Sequence, residues 1–299
     1  MGQNIYYNQC PCCGSNHISK SFTAKDYTVS QEMFEVWRCE DCTLEFTQNI
    51  PNSIDIGPYY NSSAYISHSD TNKGLVNRLY HLVRNYTLQV KRKLIKTETG
   101  VQHGTLLDVG AGTGAFSNTM QRAGWKVTGL EPDETARQNA LQIHGLQLIP
   151  SDKLKDLLDN QFDAITLWHV LEHVHELHPY MSKFYSLLKQ KGKLFIAVPN
   201  YTSLDAELYG EYWAAYDVPR HLYHFSPQSM EELAHLEGFM VKKFKPMWFD
   251  SFYVSMLSEQ YKNGKGNLVN AIRNGWRSNL KTLKDNKKCS SVIYVLEKQ

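Results

Sequence analysis

Three groups of residues have types and spacings that could do chemistry. The first is a glycine-rich run, Asp108-Val109-Gly110-Ala111-Gly112-Thr113-Gly114, with Glu131-Pro132 following it. Glycines at 110, 112 and 114 let the chain turn tightly and let a ligand approach the backbone. A helix opening behind them would aim its first amides at ligand oxygens. The second is a histidine-rich block, His169-Val170-Leu171-Glu172-His173, with Pro219-Arg220-His221-Leu222-Tyr223-His224 further on. Imidazole titrates near neutral pH, which suits proton transfer, and with Glu172 it also suits metal ligation. The third is two Cys-x-x-Cys turns, Cys10/Cys13 and Cys39/Cys42, whose four thiolates could close a tetrahedral zinc site.

These residues need elements to position them. Short apolar runs at 105–109, 126–130, 146–149, 164–168, 193–198 and 240–244 read as strands, and amphipathic stretches at 114–123, 133–143, 153–158, 176–190 and 227–237 read as helices. The alternation predicts an α/β fold with a doubly wound, mostly parallel sheet covered on both faces. A longer helical pattern starts at Leu75, with Asp70 or Thr71 as its cap and Gly100 as its stop. Asp108 then ends the first strand, Glu131 the second, Asp152 follows the third and His169 the fourth. Open sheets of this kind bind ligands at those strand ends.

The glycines alone are ambiguous, because Gly110-x-Gly112-x-x-Ala115 also fits a dinucleotide fingerprint. Asp108 shifts the balance: a carboxylate sits badly beside a pyrophosphate and well beside an ammonium or sulfonium group. Glu131, about 20 residues on, is placed to accept from two ribose hydroxyls. Asp108, the three glycines and Glu131 together predict S-adenosylmethionine (SAM); the alternative is a glycine turn beside a solvated acid. Over roughly residues 100–245 the sequence resembles the class I SAM-dependent methyltransferases, through Asp108–Gly114, Glu131-Pro132, and Phe162-Asp163-Ala164-Ile165 leading into His169–Val174. The last block is similar to that of ubiquinone-pathway O-methyltransferases and many bacterial methyltransferases of small molecules. The resemblance implies a Rossmann-like sheet with residues 291–296 inserted antiparallel. It also implies that Asp108, Gly110, Gly112 and Gly114 hold the methionine part, Glu131-Pro132 the ribose side, and Ser151-Asp152 the border of the adenine.

His169, Glu172 and His173 share one face if a helical turn begins at residue 169. Methyl transfer from a sulfonium is an in-line displacement, helped by positioning and exclusion of water. A hydroxyl or amine acceptor must still lose a proton, and His169 or His173 is the expected base. A metal site is the sharper alternative. Small-RNA 2′-O-methyltransferases carry Glu-x-x-Glu-His here with a later histidine, and ubiquinone O-methyltransferases carry a similar motif. In this chain His169 replaces the first glutamate, so the candidate set for a second divalent metal is His169, Glu172, His173 and His224, with imidazole favouring softer ions. The plainer reading is a hydrogen-bonded Glu172–His173 pair that fixes the turn. The insertion Gly210–Trp213 with Asp217–Arg220 reads as an acceptor wall or a packed loop. Tyr59, Tyr60, Tyr65 and His68 read as a cover for the ligands or as packing. Trp248, Phe249, Phe252 and Tyr253, with Met247 and Met256, read as core or acceptor pocket, against a membrane-surface stripe.

Five of the six cysteines precede residue 43, which marks 1–45 as a zinc-ribbon-like module, with Cys12 surplus and a redox pair as the alternative. Residues 46–100 follow as connector and helix, 101–245 as the SAM-binding domain, and 246–299 as an extension carrying the last strand. Zinc-knuckle modules also precede the methyltransferase domain in some sugar-modifying C-methyltransferases, a similar layout. The chain has 299 residues and a net charge of only +2, which argues against nucleic acid as the main partner. No apolar stretch approaches the roughly 18 residues of a membrane span. The start has no secretory pattern, so a cytoplasmic location is expected. The expected function is SAM-dependent methyl transfer to oxygen or carbon of a small metabolite, such as a sugar, lipid or quinone-like precursor. The alternatives are a metal-dependent RNA 2′-O-methyltransferase and a non-catalytic SAM-binding scaffold.

Overall fold

The computed structural model describes residues 4–61 and 75–299, and within them the chain builds two sheets. The smaller begins with an antiparallel run, β1 (Ile18–Lys25), β2 (Met33–Cys39) and β3 (Glu45–Thr47). Period-two alternation in β2 buries Phe34 and Val36 and leaves Glu35 outside, where it pairs with Lys20. Tyr65, His68, Asp70 and Thr71 lie outside the described residues.

Helix α1 (Leu75–Thr99) stops at Gly100, whose φ of +69° is open to glycine at little cost. Beyond it come β4 (Thr105–Val109), α2 (Ala115–Arg122), β5 (Lys126–Leu130), α3 (Glu134–His144), β6 (Phe162–Trp168), α4 (Leu177–Leu187) and β7 (Leu188–Pro199). The chain continues through α5 (Leu204–Tyr209), β8 (Tyr223–His224), α6 (Pro227–Leu236), β9 (Phe239–Pro246), α7 (Asp250–Asn263), α8 (Leu268–Lys284) and β10 (Ser291–Lys298). The larger sheet has the order β5-β4-β6-β7-β10-β9, with β4 to β7 parallel and β10 antiparallel to both of its neighbours. This is the predicted α/β doubly wound architecture, and the 291–296 strand sits where it was expected. Near-continuous apolar runs such as Leu194–Val198 are buried because helices cover both faces.

Two expectations change. The third strand, 146–149, is reduced to a single bridge between Leu130 and Ile149. Gly145 turns the chain at φ +67° just before it and Pro150, which has no N–H, ends it just after. The helix expected at 153–158 is a short 3-10 turn, Ser151–Asp156.

The two sheets are not independent. β3 runs across position 45, and its outer neighbour is β8, which pairs Glu45 with His224 and Phe46 with Tyr223. The turn after β1 is tied to the same insertion by a buried charge cluster. Arg220 Nη2 donates to Asp26 Oδ1 at 2.9 Å and to Asp217 Oδ1 at 2.7 Å, and Nη1 donates to the Tyr59 carbonyl at 2.8 Å. Asp26 also accepts from the Thr28 and Ser30 amides. A buried ion is tolerable only when its hydrogen bonds are satisfied in this way, and losing one partner would leave the other desolvated and unpaired.

Candidate functional site

The crevice at the carboxyl ends of β4, β5 and β6 is built by the turns that follow them. After Asp108 the chain turns through Gly110, Gly112 and Gly114, at φ +68°, +55° and +78°. A Cβ at Gly110 would lie 2.4 Å from Val170 Cγ2, so the β4 and β6 turns touch there. A Cβ at Gly112 would meet nothing within 4 Å; that side of the loop is open to a ligand.

Asp108 is buried and accepts hydroxyl hydrogen bonds from Ser117 at 2.7 Å and Thr166 at 2.8 Å. Burial pushes its carboxyl up to about 6, against those hydroxyls and the charge of Lys91. Lys91 comes from α1, with Nζ 4.1 Å from the centre of the Trp168 ring. Burial lowers it to about 8, opposed by Asp250 and Asp108. Glu131 is also buried, and this raises its carboxyl. It accepts from the Gly112 amide at 2.7 Å and from the Asp133 amide at 2.9 Å, so it bridges the loop to the turn after β5. Pro132 lies in that turn, its carbonyl accepting from Arg137 Nη1 at 2.6 Å. Asp152 is exposed in the 3-10 turn after Ile149.

The histidine block departs from a simple helical turn. His169 has φ +58°, an uncommon conformation for a residue with a side chain, and only Leu171–His173 form a 3-10 turn. Its Nε2 lies 3.1 Å from Asp250 Oδ2, and its Nδ1 lies 3.4 Å from Glu172 Oε1. Burial disfavours the charged ring, but Asp250 and Glu172 outweigh it and raise His169 to about 9. The ring is therefore an imidazolium at neutral pH.

Glu172 is fully buried, and neither of its oxygens has an aligned hydrogen bond. The cations and rings around it hold its carboxyl below the usual range, although burial acts the other way. The residues gathered on it are His173 and His221, with one ligand atom from each of the three within 4.8 Å of one another. His173 Nδ1–H donates to the Arg220 carbonyl at 3.0 Å, and His221 Nδ1–H to the Ala215 carbonyl at 2.8 Å. Each Nε2 is left as a lone-pair donor, the arrangement that orients histidines on a metal. Burial, followed by His221, lowers His173 to about 4, so it is neutral. The orphaned carboxylate and two anchored imidazoles fit a borderline divalent ion. Tyr60 of the connector reaches the same place, its hydroxyl 3.1 Å from His173 Nδ1.

His224 stands apart from this cluster and His169 is not among its three ligands, a correction to the set His169, Glu172, His173 and His224. β8 begins at Tyr223, and pairing with β3 turns the His224 ring to Thr47 Oγ1 at 3.1 Å and edge-on to Tyr216. His221, just before the strand, takes the inward position. Lys91 and Asp250 carry no motif of their own in the sequence, since both arrive from distant helices.

The four cysteines Cys10, Cys13, Cys39 and Cys42 converge, with Sγ–Sγ distances of 3.5 Å for Cys10–Cys42 and 3.6 Å for Cys13–Cys39. A tetrahedron with Zn–S of about 2.3 Å has edges of about 3.8 Å, so the set fits zinc closely. Cys12 is not one of the four, and its thiol donates to the Ser229 carbonyl at 3.7 Å.

Residues 82–243, more than half of the chain, match the family model described as a methyltransferase domain. The chain belongs to this family. This methyltransferase domain is similar to the ubiquinone biosynthesis O-methyltransferase of Nitrosococcus oceani, with 28% identity over 201 residues, covering 62% of this chain and 82% of that protein. It is 38% identical over 109 residues to the protein of that name from Actinobacillus pleuropneumoniae, covering 32% and 46%. With the rat mitochondrial protein it shares 28% identity over 188 residues, 54% of each chain. The chain thus spans about half the length of several of these relatives. Its fold is that of the magnesium protoporphyrin IX methyltransferase of Synechocystis, with a TM-score of 0.53 at 14% identity, over 81% of this chain and 97% of that one. In the methyltransferase domain the crevice fits SAM: two buried carboxylates flank a glycine loop with an open face, which suits a cationic, ribose-bearing ligand.

The Asp108 pKa carries a stability consequence. A folded-state value of about 6, above the ordinary 3.8, means that ionising Asp108 costs folding energy, so its favourable contribution is lost as pH rises through 6. Asp108→Asn should therefore stabilise the ligand-free protein above pH 6, by up to about 3 kcal/mol, and have little effect near pH 4. Thermal unfolding of both forms across that range checks it.

Proposed function

We propose that the protein transfers the methyl group of SAM to an acidic hydroxyl, phenolic or enolic, of a quinone-like small molecule. Support for the donor half comes from Asp108 and Glu131 around the glycine loop in a chain of this family. Asp108 would face the positive methionine end, Glu131 the ribose hydroxyls, and the amides of Gly110, Gly112 and Gly114 the ligand oxygens.

The observation that carries the acceptor half is the placement of His169 between the carboxylates of Asp250 and Glu172, which favours its charged form. The imidazolium form at the crevice rim would stabilise an acceptor oxygen that has already lost its proton, and only the neutral form of the ring, the minor form below about pH 9, would take that proton itself. Phenols and enols ionise near the His169 value, whereas sugar hydroxyls do not, and the best proton transfer occurs between groups of matched pKa. Asp250 and Glu172 orient the ring, and Trp168 and Tyr60 help to exclude water. The names of the relatives, ubiquinone biosynthesis O-methyltransferases, agree with this acceptor class.

Zinc on Cys10, Cys13, Cys39 and Cys42 is proposed as structural, tying down a short module with little core of its own. A divalent ion on Glu172, His173 and His221 would act as a Lewis acid toward the acceptor oxygen.

Turnover of SAM with catechol-type acceptors tests the reading. His169→Gln should lower kcat by about a hundredfold or more with little change in SAM affinity. Turnover on sugars or RNA but not on phenols would overturn it. Metal analysis forms a second test. Wild-type protein is expected to take up a chelatable divalent ion beyond the cysteine-bound zinc, and Glu172→Gln to lose that ion alone. Equal metal content in both forms would remove the second site.

A further inference from the structure

Helix α8 is amphipathic with its apolar side turned outward. At 3.6 residues per turn, Ala271, Asn274, Gly275, Ser278 and Thr282 fall on one arc, and all five are buried. The arc is small enough for close packing on α7: a Cβ at Gly275 would lie 3.1 Å from the Phe252 backbone. A second arc holds Leu268, Val269, Ile272, Trp276, Leu280 and Leu283, and all of these are exposed, Val269 at 76%, Leu283 at 71% and Trp276 at 61%. A third arc, bordering the second, holds exposed Arg273, Arg277, Lys281 and Lys284. No acidic residue occurs from 260 to 284.

We propose that α8 lies along an anionic lipid bilayer surface, its apolar arc in the interfacial zone and its basic row against headgroup phosphates. Large side chains would ordinarily take the core-facing arc, with polar ones outside. Here the largest apolar residues face solvent beside four cations, the composition of an in-plane membrane helix. The helix has 17 residues and four charges, and no helix among the described residues is long and apolar enough to cross a membrane. A second copy of the chain is a poorer occupant, since antiparallel two-fold pairing of α8 with itself would set the basic rows side by side, and any pairing would leave those four cations without acidic partners on the helix.

The outward apolar surface continues toward the crevice. Asn279, at the edge of the apolar arc, donates to the Trp248 carbonyl at 2.8 Å, and exposed Phe249 follows. Phe249 meets Tyr86 of α1 edge-on at 6.0 Å, on a face where Leu82 and Val90 are also exposed. The next residue, Asp250, holds His169. A lipid-borne acceptor would therefore reach His169 from the bilayer side between α1 and α7. That last step rests on the proposed acceptor class; docking of α8 does not.

Co-sedimentation of the full chain with phosphatidylcholine vesicles, with and without phosphatidylglycerol, tests the proposal. Binding is expected with phosphatidylglycerol, much weaker binding without it, and a loss of binding at high salt. Each basic residue should contribute about fivefold, so the triple variant Arg273→Gln/Arg277→Gln/Lys281→Gln should bind roughly a hundredfold more weakly. Ile272→Ser/Trp276→Ser should not sediment. Both variants change exposed residues only and should keep wild-type SAM turnover on a water-soluble acceptor, so failed docking is distinguishable from a failed reading of the reaction. Absence of vesicle binding, or variants that bind like wild type, would overturn the proposal. So would a concentration-dependent dimer that Ile272→Ser/Trp276→Ser abolishes, without vesicle binding.

Discussion

Negative charge held out of water at the carboxyl edge of the large sheet is the constraint around which the rest is arranged. Asp108 near the end of β4, and Glu131 and Glu172 in the turns after β5 and β6, are all buried there. A desolvated carboxylate without partners is costly, so each one draws its own set. Two hydroxyls and the Lys91 charge serve Asp108; two amides serve Glu131; histidine rings surround Glu172 without an aligned hydrogen bond. The matching is incomplete, which leaves a crevice biased toward cations. A sulfonium cofactor and a divalent ion are both cations, and the incomplete matching is what their binding would complete.

The acceptor side depends on the amino-terminal module as well as on the sheet. His221 and His173 are oriented through the carbonyls of Ala215 and Arg220, in the insertion between β7 and α6. That insertion is pinned by β8 on β3, by Arg220 on Asp26, and by the Thr47 hydroxyl, which donates to the His221 carbonyl at 2.8 Å. The cysteine turns therefore fix more than their own strands. Proposed zinc at one end of the small sheet and the histidine cluster at the other share a single rigid support.

Much of the donor side was legible because it is local. A glycine at positive φ and an acid at a strand end leave their marks within a few residues, so Asp108, Gly110, Gly112, Gly114 and Glu131 could be named from spacing. The contributions of Lys91 and Asp250 were not legible, as each depends on which face of a distant helix packs on the crevice. His221 and His224 differ only in strand register, and a two-residue strand was too short to announce itself. In α8 periodicity reveals an amphipathic helix but not which arc is covered. Small residues on the buried arc, a close-packing signal, decided that point. The segment 146–149 misled for the opposite reason: its apolar residues are buried by packing on β5 and α3 without a strand ladder.

The central claim is that these buried carboxylates receive SAM, and equilibrium dialysis of SAM against wild type and Glu131→Ala tests it most directly. Glu131 would contribute charge-assisted hydrogen bonds to the ribose, each worth about 1.5–3 kcal/mol, so SAM binding should weaken by at least about tenfold in a variant that remains folded. Equal affinity in the two proteins, or no binding of SAM by the wild type, would contradict it.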